Sequence, residues 1–86
     1  MPALCQFFGI MIYMYYNDHS PPHFHAEYAG GEVLIEIQTL RVLSGSISRR
    51  AHALVIEWAD LHRNELSANW QRARDGEVLF GIESLE

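Results

Sequence analysis

Residues 6–16 read QFFGIMIYMYY, and this stretch decides how the chain folds. Its length and its aromatic and β-branched content predict a β-strand. Successive side chains of a strand point to opposite faces. One face would carry Phe8, Ile10, Ile12, Met14 and Tyr16. The other face would carry Phe7, Met11, Tyr13 and Tyr15. Both faces are apolar, so the strand needs cover on both sides.

The residues that follow predict a small antiparallel sheet. Residues 17–22 end the first strand, because their two prolines cannot continue a hydrogen-bond ladder. Residues 23–28 and 32–39 read as the second and third strands, joined by a turn that contains two glycines. Residues 40–43 either extend the third strand or form a short fourth one. The sheet should therefore have three to four strands, with a further short strand possible at 78–80.

The second half of the chain is helical in pattern. Ser48 is a good N-cap, and apolar residues recur at helical spacing from Ala51 onwards. The polar residues 62–64 either bend one helix or separate two, and Gly76 suits the left-handed position after a helix end. Strands followed by helices indicate an α+β fold, with one bent helix or a helix pair packed on one face of the sheet.

Composition limits the function classes. The chain has 86 residues, which predicts a single domain spanning 1–86. The net charge is −5 and lysine is absent, so general nucleic-acid binding is disfavoured. Cys5 is the only cysteine, which excludes an internal disulfide and, with no export signal, predicts a cytoplasmic protein. The apolar stretch 7–16 is too short for a membrane helix.

Helices on one face of the sheet would leave the other face of the first strand uncovered. That face would expose Phe7, Met11, Tyr13 and Tyr15 as an apolar patch, and such patches usually mark interfaces. The prediction is a homodimer or a protein partner bound there. The alternative is that the C-terminal strand or the loop containing Pro21 covers the patch.

The most unusual chemistry lies in residues 18–28, DHSPPHFHAEY. His23 and His25 are two apart in a predicted strand and should project side by side. His19 lies just across the two prolines. Histidines grouped in this way are ligands for zinc or another divalent metal, so His19, His23 and His25 form a candidate metal site.

The same histidines admit two other interpretations. His23 and His25 could act as general base and general acid in metal-free RNA cleavage. Arg49 and Arg50, at the start of the predicted helix, could then bind the phosphate. Tyr15, Tyr16 or Tyr28 could stack on a base. The third interpretation is structural, with the histidines forming only a polar face of the sheet.

Several segments of the sequence resemble one protein family. They are FFGI at 7–10, MYYNDH at 14–19, PPHFHAEY at 21–28, EWA at 57–59 and NW at 69–70. Together they resemble the small bacterial proteins known as domain of unknown function 4160. The resemblance implies no established reaction. It does imply a stand-alone protein often encoded beside another small protein, in an arrangement similar to toxin–antitoxin pairs. It therefore favours a protein-interaction module over the RNA-directed hydrolase and the metal-binding protein.

Overall fold

The computed structural model describes residues 3–86 as a five-stranded antiparallel sheet and two helices. The strands lie in the sheet in chain order: β1 (Ala3–Phe7), β2 (Ile10–Tyr13), β3 (His23–Tyr28), β4 (Gly31–Glu36) and β5 (Val42–Gly45). The helices are α1 (Arg49–Leu61) and α2 (Arg63–Arg74). The predicted α+β class is confirmed. The predicted three to four strands are corrected to five.

The additional strand comes from the stretch that was expected to be one long strand. Phe8 and Gly9 have φ angles of 49° and 80°, so the chain reverses there and β1 pairs with β2. Positive φ at both central residues is typical of the type I′ turn, whose twist matches that of a two-stranded hairpin. Residues 6–16 therefore contain a hairpin, with Phe7 opposite Ile10.

The hairpin changes which side chains are exposed. Phe7 is buried in the core, where its ring centroid lies 5.7 Å from that of Trp58. Tyr13 is also buried, Met11 is half-buried, and only Tyr15 remains exposed. The apolar face predicted from these four residues is therefore not formed, because the turn at Phe8 breaks the alternation on which that prediction depended.

The core lies between one face of the sheet and the two helices. Phe24 and Ala26 of β3 point into it, and the residues opposite them on β4, Ile35 and Val33, are fully buried. Trp58 of α1 is also fully buried and packs edge-on against Phe24 at 5.9 Å. Residues that alternate with Phe24 and Ala26, including both histidines of β3, consequently point away from this core.

The helical half agrees with the sequence prediction. The Ser48 hydroxyl accepts a hydrogen bond from the Ala51 amide at 3.2 Å, which caps α1. His62 lies between the helices, so they form a pair. Gly76 has a φ of 72°, as expected for the residue after the end of a helix. Within residues 3–86, neither helix has the length and apolar composition that crossing a membrane would require.

The C-terminal segment, residues 77–86, contains no regular strand, so the short strand predicted at 78–80 is not formed. The segment is nevertheless held in place. The Ile82 amide donates a hydrogen bond to the Leu4 carbonyl at 2.9 Å, on the open edge of β1. The segment thus covers part of that edge.

Candidate functional site

The two histidines of β3 point the same way and lie side by side. Only 4% of His23 and 6% of His25 is exposed, and their ring centroids are 5.3 Å apart. The prediction that residues two apart on a strand share a face is met at this pair. Tyr13 lies opposite His25 on β2, and its ring stacks on the imidazole at 5.3 Å.

The loop after β2 brings a carboxylate onto both rings. Asp18 Oδ2 lies 3.0 Å from His23 Nε2 and 2.8 Å from His25 Nε2. One ligand atom from each of the three residues therefore falls within 4.8 Å of the other two. Asp18 Oδ1 accepts a hydrogen bond from the His19 amide at 3.1 Å, which fixes the carboxylate. We call Asp18, His23 and His25 the histidine–aspartate cluster.

The third predicted ligand, His19, is placed elsewhere. Its side chain is exposed, and it is not among the described residues whose ligand atoms converge on the cluster. Its contribution is the backbone amide that orients Asp18. Asp18 supplies the third ligand atom in place of His19.

The backbone carbonyl of Pro21 selects the tautomer of His23. Its Nδ1 lies 2.8 Å from the Pro21 carbonyl oxygen, and a carbonyl can only accept, so Nδ1 carries a proton. In a neutral imidazole the other nitrogen then has a lone pair. That lone pair faces the Asp18 carboxylate at 3.0 Å. Two acceptors at this distance repel each other unless a proton or a metal ion lies between them.

His25 lies between two carboxylates. Its Nε2 faces Asp18, and its buried Nδ1 lies 3.4 Å from Glu32 Oε2, without a hydrogen bond to any described residue. The Tyr13 hydroxyl donates a hydrogen bond to the same Glu32 oxygen. Two anionic groups therefore surround two imidazoles, and the site favours added positive charge.

Two pKa shifts agree with this electrostatic arrangement. Burial raises the pKa of Asp18, but the hydrogen bond from His25 and the charge of His23 outweigh it and hold that pKa below its usual value. Burial and the hydrogen bond to Glu32 raise the pKa of Tyr13 well above its ordinary range. At neutral pH, Asp18 is thus an anion that can hold a cation, whereas Tyr13 remains a hydrogen-bond donor.

Aromatic rings enclose the cluster on several sides. The Tyr15 ring meets His25 edge-on at 4.5 Å, and the Trp70 ring lies 5.2 Å from that of His23. Asp18 is the accessible member, with 20% of its side chain exposed. It lines a shallow cavity of about 250 Å³ together with Tyr16, Asn17 and Arg74. Solvent and small ligands can therefore approach from the Asp18 side.

The remaining predicted residues lie away from the cluster. Arg49 and Arg50 are exposed at the start of α1, and Arg50 lines a different cavity together with Tyr28. The arginine that lies beside Asp18 is Arg74, from the last turn of α2. Sequence reasoning missed both Arg74 and Glu32, because helix packing and strand register bring them to their positions.

A comparison with protein-family models identifies the chain. The model of a domain of unknown function, DUF4160, matches residues 9–71, a range that contains the whole histidine–aspartate cluster and Glu32. Comparison with curated proteins and with solved structures finds no match. The resemblance seen in the PPHFHAEY segment is confirmed, and the chain belongs to the DUF4160 family.

Proposed function

We propose that the protein binds a divalent metal ion through Asp18, His23 and His25. The observation that carries this proposal is the convergence of one ligand atom from each of the three residues within 4.8 Å of the other two. Metal-ligating histidines commonly donate their other N–H to a carbonyl or a carboxylate, which fixes the ring and its tautomer. His23 donates to the Pro21 carbonyl, and His25 Nδ1 faces the Glu32 carboxylate.

The distances suit a metal ion. Two ligand atoms that each lie about 2.1 Å from an ion and at right angles to each other are about 3.0 Å apart. The two imidazole-to-Asp18 distances are 3.0 and 2.8 Å. Two histidines and one carboxylate on one side of an ion form a facial arrangement that leaves positions open for water or substrate. The shallow cavity beside Asp18 provides space for them.

The ligand types indicate which ions fit. Imidazole nitrogens suit zinc, iron, cobalt and nickel, whereas magnesium and calcium prefer oxygen ligands. A divalent ion of the first group would also stabilise a small domain, since it binds the folded state and not the unfolded chain. Such an ion lowers the pKa of a bound water and can generate a nucleophile at neutral pH.

The metal-free alternative, with His23 and His25 as an acid–base pair acting on RNA, has less support. A catalytic imidazole needs a nitrogen within reach of the substrate. Both Nε2 atoms instead face one oxygen of Asp18, and both rings are nearly inaccessible. Arg50, one of the predicted phosphate ligands, lines a different cavity from the one that Asp18 lines.

The metal proposal is tested by measuring metal content and affinity. Protein purified without chelators should contain close to one equivalent of metal, and chelated protein should rebind zinc or cobalt in a calorimetric titration. His23→Ala, His25→Ala and Asp18→Ala should each abolish tight binding. His19→Ala should retain it, because that side chain does not reach the cluster. His52→Ala, on α1, is the matched control for removing a histidine elsewhere.

A second measurement, of the melting temperature, does not depend on how much metal the purified protein retains. A ligand present at about 100 times its Kd stabilises the folded state by about 2.7 kcal/mol. For a domain of this size, the melting temperature should rise by about 10–20 °C when zinc is added to the chelated protein. The same addition should leave the His23→Ala/His25→Ala double variant unchanged. An unchanged wild-type melting temperature, or equal binding by the double variant, would contradict the proposal.

A further inference from the structure

The tip of the β1–β2 hairpin exposes a large apolar side chain. Phe8 is 59% exposed, and its backbone adopts a φ of 49°, a conformation that favours glycine and asparagine over phenylalanine. The turn geometry itself gives no reason for a phenyl ring at this position. A reason for this residue must therefore come from the contacts of its ring.

Phe8 forms one wall of a groove. A cavity of about 290 Å³ lies between the hairpin tip, the end of β3 and the first turns of α1. Its lining is mostly apolar: Phe8, Ile10, Tyr28, Arg50, Ala51 and Leu54. The floor is part of the folded core, since Ile10 and Ala51 are buried. At protein interfaces, a few anchor side chains commonly fill well-packed pockets of this kind.

The rim of this groove carries Arg50, and Arg49 precedes it in the first turn of α1. Arg49 and Arg50 are adjacent, and among residues 3–86 neither takes part in an ion pair or a side-chain hydrogen bond. The first turn of α1 contains no acidic residue. Cations at a helix N-terminus oppose the helix dipole, so two arginines there destabilise the isolated helix. The net charge of the chain is −5, which makes this local excess of positive charge more notable.

We infer that this groove docks a segment of another protein that presents an apolar side chain flanked by carboxylates. The apolar side chain would fill the space beside Phe8 and Tyr28, and a flanking carboxylate would pair with Arg50 on the rim. Charge complementarity at such a rim steers association and discriminates against other partners. This inference is independent of metal binding, because it uses none of the cluster residues.

A second copy of this chain suits the groove less well. In a two-fold dimer, the same patch meets itself, so the arginines on one rim would lie near those on the other. Like charges brought together in this way repel each other. We therefore assign the groove to a different, acidic partner, and the oligomeric state becomes one outcome of the test.

The test uses the full chain and a phage-displayed library of random peptides. Selected peptides should be enriched in an aliphatic or aromatic residue next to Asp or Glu. They should survive counter-selection with Arg50→Glu, because that variant should not bind them. A synthetic peptide of the consensus should shift the amide resonances of Phe8, Tyr28 and Leu54. Its Kd should weaken at least about tenfold, or about 1.4 kcal/mol, in Phe8→Ala and in Arg50→Glu. Phe80→Ala, which removes an equally exposed phenyl ring elsewhere, should bind like the wild type.

Other outcomes would overturn the inference. A selection that enriches basic peptides, or no peptide at all, would contradict an acidic partner. Equal affinity of the consensus peptide for the wild type and Phe8→Ala would place its site elsewhere. A dimer in light scattering that dissociates in Phe8→Ala would show that a second copy occupies the groove.

Discussion

Asn69 should hold the C-terminal segment, and replacing it with alanine tests this directly. The residue is fully buried in α2, yet both polar atoms of its amide are paired. Its Nδ2 donates to the Phe80 carbonyl at 2.8 Å, and its Oδ1 accepts from the Phe80 amide at 2.9 Å. Oδ1 also accepts from the Arg72 guanidinium at 2.9 Å. The side chain thus pairs with the Phe80 backbone as a neighbouring strand would.

The expected loss of stability follows from these three bonds. A hydrogen bond contributes about 1 kcal/mol net to folding, so removing three costs about 3 kcal/mol. Alanine has the better helix propensity, which offsets about 0.5 kcal/mol. Phe80 is exposed, so water can reach its backbone once the segment lifts, and no larger desolvation penalty is added. The Asn69→Ala variant should therefore lose about 2–3 kcal/mol, or about 10–20 °C in melting temperature.

Thermal unfolding and hydrogen exchange measure the two parts of this effect. Asn64→Ala, an exposed site on the same helix, is the matched control and should change stability by less than about 0.5 kcal/mol. In Asn69→Ala, the Ile82 amide should lose protection, because its bond to Leu4 requires the segment to stay docked. The amide of Ala26 in β3 should remain protected. A loss below about 1 kcal/mol with Ile82 still protected would refute this account of Asn69.

Three further predictions concern single backbone or charge features. In thermal unfolding, Gly45→Ala should destabilise the protein by more than about 2 kcal/mol, because the added Cβ would collide with the backbone of β4. At Gly30 the space is open, so Gly30→Ala should cost only the left-handed strain of its backbone, about 1 kcal/mol. Phe8→Asn should stabilise the hairpin by about 0.5–1 kcal/mol in urea unfolding, because asparagine tolerates a positive φ; a destabilised variant would show that the phenyl ring supports the turn. A hydrogen bond from Thr39 lowers the pKa of Glu36, so its contribution to stability is present above the unfolded pKa and is lost as pH falls through the folded pKa. Glu36→Gln should flatten the acid limb of stability against pH, and an unchanged limb would contradict this.

The fold could be predicted wherever local signals were strong. The Ala29–Gly30 turn was found from its glycines, and the structure gives it φ angles of 50° and 83°. The Phe8–Gly9 turn has nearly the same conformation, with φ angles of 49° and 80°, but it was missed. The difference lies in the flanking residues, since a phenylalanine inside an apolar run indicates a continuous strand. Only pairing between β1 and β2, a tertiary effect, establishes the turn.

At the histidine–aspartate cluster, too, local patterns could be predicted from the sequence and tertiary contacts could not. Strand alternation predicted that His23 and His25 share a face, because that rule holds within any regular strand. No such rule applies in the loop before them, so the choice between Asp18 and His19 as the inward residue could not be made from spacing. Glu32 is brought to His25 by the pairing of β3 with β4, which no local pattern specifies.

Residues that break local rules mark both proposed sites. Phe8 occupies a conformation suited to glycine, and Arg49 and Arg50 oppose the dipole of the helix that they begin. At the other end of β3, His25 lies between two carboxylates with a buried nitrogen unpaired among the described residues. Sequences that fold well are usually consistent at every level, and exceptions concentrate at functional sites. Both proposals therefore rest on charge that neighbouring residues leave unbalanced: the arginine on the rim of the groove would attract an acidic partner, and the carboxylates of the cluster would attract a cation.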